Sequence, residues 1–299
     1  MRFVKSYKIS KFIIIFLFII MVFNPEVTLI GAKHGLLLWF NVIIPSLLPS
    51  IIISNMIVSA YGETFKNPFL YIIFTGLLCG YPLGAATAVQ LSKKNRIDTK
   101  KMQFLMAICN NSSPMFITNY IILSTLNQKA NLFQMIVIIY FPLLLLLIVF
   151  MIWNRNLFQH RLKPLIQKSV VKNININAID SSIMTGFEIV TKVGGYIILF
   201  SILSAYIQSM PIKNEILKCV ISGTLEITTG IDSIGKAGFS MELKKILACM
   251  FTAFGGLSCI AQTHSIIHKS GFSIKKYIYH KIIIMLLTAI MACFMIYVL

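Results

Sequence analysis

Asn110, Asn111, Ser112 and Ser113 follow one another inside an otherwise apolar stretch and end against Pro114. Two carboxamides and two hydroxyls in a row can hydrogen-bond a carboxylate, a ring nitrogen or a sugar hydroxyl. The competing reading is adhesion between helices, but a doubled amide beside a proline exceeds what packing requires. Glu226 also stands in an apolar stretch, followed by Thr228, Thr229 and Gly230. An ionisable group there costs about 2.5 kcal/mol or more, so it reads as a proton carrier, a cation ligand or an acceptor for substrate hydrogen bonds. The plainer alternative is a buried cap on a half-helix. Gly80, Tyr81, Pro82 and Gly84 form a turn sequence whose glycines would let a backbone approach a solute, with purely structural turning equally open. Gly255, Gly256 and Ser258 interrupt another apolar stretch, with Gln262 and Thr263 a turn later as weaker lining candidates.

Other polar residues read more simply. Glu188 and Lys192, four apart on one helix, are expected to neutralise each other. His264 and His268 share a helical face without a third ligand, so no metal site is expected. The six cysteines show neither Cys-x-x-Cys nor Cys/His spacing, and read as small buried residues. Gly-x-Ser-x-Gly, a phosphate loop and His-Glu-x-x-His are all missing, so neither an enzyme nor a bound cofactor is expected.

The elements that carry these residues must be membrane helices. Hydrophobic residues make up 57% of the 299 positions and charged residues 12%, a composition that lipid can solvate and water cannot. A formal charge of +18 could suggest nucleic acid, but its distribution follows topology instead. With the N-terminus in the cytoplasm, inner segments hold 18 Lys and Arg, including four from Lys269 to Lys281, and outer segments hold seven, including Lys33. Asn24, Pro25 and Glu26 stand where a signal peptide would need small residues, so an uncleaved first helix is expected.

Apolar stretches and their interruptions give the organisation of a single membrane domain, 1–299. Gly35–Ala60 is expected to bend or break at Pro45 and Pro49. A hairpin folding at Gly80–Gly84, a helix broken at Asn110–Pro114 and an uninterrupted helix then make a first repeat, about 68–153. A polar linker, 154–180, and a helix from Ile183 to Gln208 lead to a second repeat, about 216–299, with breaks at Leu225–Gly230 and Phe254–Ser258. The order recurs roughly 145 positions later. Under the charge-derived orientation the two hairpins enter from opposite faces, so the fold class expected is all-α and polytopic: two inverted repeats, each with a re-entrant hairpin and a broken helix.

Five motifs in order carry a family resemblance: Gly31-Ala32-Lys33-His34-Gly35 through Trp39 to Pro49, Gly80-Tyr81-Pro82-Leu83-Gly84-Ala85, Cys109 to Ile117, Leu225 to Gly230, and Phe254 to Ser258 with Ala261-Gln262. Over nearly the whole chain this resembles the YlbJ-type sporulation integral membrane proteins. The resemblance implies a nucleoside-recognition gate fold, similar to concentrative nucleoside transporters. It also implies a part in endospore formation, in passing dipicolinic acid across the outer forespore membrane. Amides, hydroxyls and half-helix N-termini suit such a dicarboxylate. Near it, Glu226 would have to be protonated, pair with a cation or face away. The expectation is a carrier of a small anionic solute in the lipid bilayer. A nucleoside carrier of the same fold, a non-transporting sporulation scaffold and an ion channel are the alternatives, the last lacking rings of charge. The coupling ion, proton or sodium, is left open by the sequence. So is association with a second copy or with other sporulation membrane proteins.

Overall fold

The computed structural model describes residues 15–61, 68–95, 99–126, 130–155, 176–268 and 270–298, and every regular element among them is helical. Among the described residues, five helical stretches are long and apolar enough to cross a bilayer: Pro25–Ile53, Leu132–Trp153, Ile176–Ser209, Met241–Ile267 and Ile274–Tyr297. The chain is a polytopic helical membrane protein.

Residues 15–23 form α1. Asn24 leaves helical geometry (φ −130°, ψ 65°), and Pro25 restarts the chain as α2, Pro25–Leu38, where its fixed φ suits a first turn. Lys33, counted above with the outer segments, lies inside this helix. The interruption expected at Pro45 and Pro49 is instead a π-helical turn at Trp39–Ile43 running into α3, Ile44–Tyr61. Widening the turn just before Pro45 accommodates a ring that would strike the carbonyl four residues back, while Pro49 stays within α3. The basic N-terminal residues up to Lys11 lie outside the described residues.

Next come α4 (Pro68–Cys79), α5 (Leu83–Asn95), α6 (Thr99–Cys109), a π-helical segment (Phe116–Thr125) and α7 (Leu132–Trp153). Of the polar linker, 156–175 lie outside the described residues. Residues 176–180 already belong to α8, Ile176–Ser209, which begins seven residues before the expected helix. The rest is α9 (Glu215–Leu225), α10 (Ile227–Lys236), α11 (Met241–Phe254), α12 (Gly256–Ile267) and α13 (Ile274–Tyr297). A paired set of short helices, a broken helix and a plain helix thus occur twice in the same order.

The long helices are joined by small residues. Gly31 lies against Ile202 and Ala205, Trp39 against Gly194, and Leu48 and Ile52 against Gly186, so α2–α3 and α8 run antiparallel along most of their length. The indole N–H of Trp39 donates to the Val190 carbonyl at 2.9 Å. On α13 the inward stripe is Tyr277, Lys281, Ile284, Thr288 and Ala292, whereas Leu286, Ile290 and Phe294 are exposed. An apolar exposed face opposite a mixed buried one is the pattern of a helix whose outer solvent is hydrocarbon. Lys281 was assigned above to a cytoplasmic segment. It is instead fully buried, because it falls on the inward stripe one turn after Tyr277.

Candidate functional site

The four interruptions meet. Gly80, at φ +76°, turns α4 into α5 through a cis Tyr81–Pro82 bond, and a Cβ there would stand 2.8 Å from the Ser113 nitrogen. A side chain at Gly84 would come within 2.6 Å of the Cys109 carbonyl, so the α4–α5 tip sits on the break in the α6 segment. Gly255, at φ +85°, separates α11 from α12, and a Cβ on it would strike the Tyr81 hydroxyl at 2.5 Å. Gly256 faces Leu225 and Glu226 at the tip between α9 and α10. Tyr81 donates to the Phe254 carbonyl at 3.5 Å and Ser112 to the Thr252 carbonyl at 3.4 Å.

Several of the half-helix ends are supplied with side-chain partners. Asn110 accepts from Ala85 N–H at 3.3 Å, covering the start of α5, and its amide nitrogen donates to Thr263 at 3.0 Å and to Tyr277 at 2.9 Å. Asn111 donates to the Ile108 carbonyl and accepts from the Lys281 ammonium at 2.5 Å. Ser113 accepts from Phe116 N–H at 3.2 Å. Glu226 is extended (φ −148°, ψ 128°) and caps α10, its Oε2 accepting from Thr229 N–H at 2.8 Å and from the Thr228 hydroxyl. The plainer reading of Glu226, a buried cap, therefore describes its hydrogen bonds. Tyr120 donates to the Thr228 carbonyl.

Beside these ends lies a cavity of about 50 Å³, walled by Gly80, Tyr81, Ser112, Ser113, Glu226 and Gln262 with apolar Ile43, Leu47, Phe116, Val193, Ile197, Ile227 and Cys259. It has room for a few water molecules. Gln262 donates to Ser258 at 3.3 Å, and its Oε1 is buried without a partner among the described residues. Of the residues singled out in the sequence, six wall this cavity. Asn110 and Asn111 stand behind it, engaged with α5, α12 and α13. Pro82, Gly84, Thr228, Gly255, Gly256 and Ser258 lie within the breaks that shape it.

Thr229 lines a second, larger cavity of about 500 Å³ between α2, α8, α9 and α10, with Ser204, Gln208, Glu215 and Lys218 among its polar walls. Asp232 there receives His34 at 3.0 Å and Lys236 at 2.6 Å. The pair Glu188 and Lys192 meets at 2.6 Å on the exposed face of α8, as its spacing implied.

Sequence reasoning missed Lys281, Tyr277 and Tyr120. Lys281 had a signal: it stands within Ile274–Tyr297, a helix of membrane-spanning length, and Tyr277, four positions earlier, shares its face. The fixed position of α13 beside α6 is completed by Gln103, which donates to the Ser273 carbonyl at 3.1 Å and accepts from its N–H at 2.7 Å.

No protein-family model and no solved structure matches the chain. A curated protein does: the Sporulation integral membrane protein YlbJ of Bacillus subtilis (strain 168) is 23% identical over 315 residues, spanning 88% of this chain and 76% of that one. That similarity runs along most of both chains, and with the helical membrane architecture and the five ordered motifs it makes this chain similar to a sporulation integral membrane protein.

Proposed function

We propose that this protein carries a small anionic metabolite, dipicolinic acid, across the outer forespore membrane during endospore formation. The observation that carries the reading is the meeting of four helix interruptions around a cavity between membrane-spanning helices, its wall part polar (Ser112, Ser113, Glu226, Gln262) and part apolar. Unwound backbone at membrane depth is costly unless it lines a route or a site. In this reading α4–α5 and α9–α10 are re-entrant hairpins of two inverted repeats, about 68–153 and 216–299, and the N-terminus is cytoplasmic. α4, at 12 residues, is about 18 Å long and reaches only partway through a core of about 30 Å. Carboxylates of the solute would take hydrogen bonds from Ser112, Ser113 and Gln262. Glu226 turns one oxygen towards the first turn of α10, which lessens its conflict with an anion.

The cavity is too small for a metabolite with its walls as they stand, so binding would separate Leu47 and Phe116 from the hairpin tips. That movement is what a carrier needs and a passive scaffold does not. The test is uptake of labelled dipicolinate, with uridine in parallel, into proteoliposomes holding the wild type or Glu226→Gln. Saturable dipicolinate uptake is expected in the wild type and its loss in Glu226→Gln, where the amide oxygen still accepts from Thr228 and Thr229. Uridine uptake alone would point to a nucleoside carrier. Flux equal to empty liposomes for both solutes would leave a sporulation scaffold as the better account.

A further inference from the structure

Among the described residues, the buried Asp, Glu, Lys and Arg side chains are Glu226 and Lys281. Lys281 is 0% exposed. It stands seven positions into α13, about 10 Å from the helix start, where a lysine ordinarily snorkels to the membrane surface. Instead its ammonium points inward, 2.5 Å from Asn111 Oδ1, 3.3 Å from the Asn110 carbonyl and 5.1 Å from the centre of the Tyr81 ring. Its partners are an amide oxygen, a main-chain carbonyl and an aromatic face, and none of the ion pairs among the described residues includes it.

Such a set is what proteins offer a bare cation. Carbonyl oxygens released by an unwound helix, beside the negative end of the half-helix that precedes them, are the usual ligands for a coupling ion in broken-helix carriers. α6 ends at Cys109, and the oxygens that Lys281 meets belong to the next two residues. Asn111 holds its amide with the nitrogen on the Ile108 carbonyl and the oxygen on the ammonium. Asn110 with Tyr277, and Gln103 with Ser273, fix the register of α13 so that the amine arrives there. Tyr81 has Lys281 over its ring and forms a wall of the cavity.

We propose that Lys281 is a tethered cation, its ammonium occupying the position where a diffusible coupling cation would otherwise bind, so that transport requires neither sodium nor potassium. The proposal deepens the carrier reading and rests on it. Lys281 is a positioning residue: it holds the broken backbone behind Tyr81 without touching the cavity.

The experiment compares wild type, Lys281→Ala and Lys281→Met, each full length, in sodium, potassium, choline and methylammonium salts at equal ionic strength. Wild-type dipicolinate flux is expected to be the same in all four. Lys281→Ala empties a cation-sized gap, and its flux in choline is expected to fall roughly tenfold or more, the scale of a lost hydrogen bond to a charged group. Sodium or methylammonium should restore part of it. Lys281→Met fills the gap with an uncharged stem and should not be restored. Thermal unfolding gives a readout independent of transport: sodium or methylammonium should raise the midpoint of Lys281→Ala and leave the wild type unmoved. Sodium-dependent wild-type flux overturns the proposal. So does a Lys281→Ala protein whose unfolding ignores every cation, or one that folds in none of the salts. Absence of any wild-type flux refutes the carrier reading alone, and cation-dependent unfolding of Lys281→Ala would then still support the tethered-cation site.

Discussion

Asn110 and Ser112 are two residues apart and differ in what they hold. Asn110 serves Ala85, Thr263 and Tyr277, three partners on three other helices. The Ser112 side chain makes one long bond and walls the cavity. Asn110→Ala is therefore expected to leave buried groups unpaired, lowering stability by about 1–3 kcal/mol. Ser112→Ala, which loses one long hydrogen bond, should cost about 0.5 kcal/mol, the low end for a single bond, and weaken dipicolinate uptake. Thermal unfolding in detergent and uptake, measured on the same preparations, check both; equal destabilisation would erase the distinction. Sequence alone could not make it, since it shows four polar residues in a row and not their directions. Lys281 was hidden for another reason. Counting basic residues for topology treats each lysine near a helix end as a surface charge, and only its register with Tyr277 says otherwise.

At the scale of elements, the breaks at Gly80–Gly84, Asn110–Pro114 and Gly255–Gly256 were legible because their glycine, proline and asparagine clusters read as turn sequences. The π-helical turn at Trp39–Ile43 was not, since its cause lies in how Pro45 is accommodated rather than in the residues of the turn. The seam between α2–α3 and α8 was also illegible, because it joins residues more than 130 positions apart, as Trp39 and Gly194 are. That seam gives a paired prediction within two adjacent glycines. A methyl group on Gly194 would lie 2.5 Å from the Trp39 ring, whereas one on Gly195 meets nothing within 4 Å. Gly194→Ala should cost about 1–3 kcal/mol through overpacking. Gly195→Ala should gain up to about 1 kcal/mol from helix propensity. Unfolding midpoints that shift the same way in both variants would argue against the close packing.

For the whole molecule, the orientation read from charge places the C-terminal end of α8 outside. With the six native cysteines replaced and the protein expressed in the plasma membrane of vegetative cells, Gln208→Cys in the larger cavity is then expected to react with a membrane-impermeant thiol reagent added to intact cells. Labelling only after the cells are opened would reverse the orientation. Between this cavity and the smaller one lies the first turn of α10, with Glu226 and Ile227 facing one side and Thr229 the other. One helical turn is about 5 Å. A cavity lined by Asp232, Lys236, Glu215 and Lys218 admits water, and water does not sustain a voltage drop. In the carrier reading, once the smaller cavity opens to water on the opposite side, the electric field of an energised membrane would fall mainly across that thin step, at about 2.3 kcal/mol per charge for each 100 mV. A dianion passing Glu226 would meet nearly the whole membrane voltage within a stroke of one helical turn.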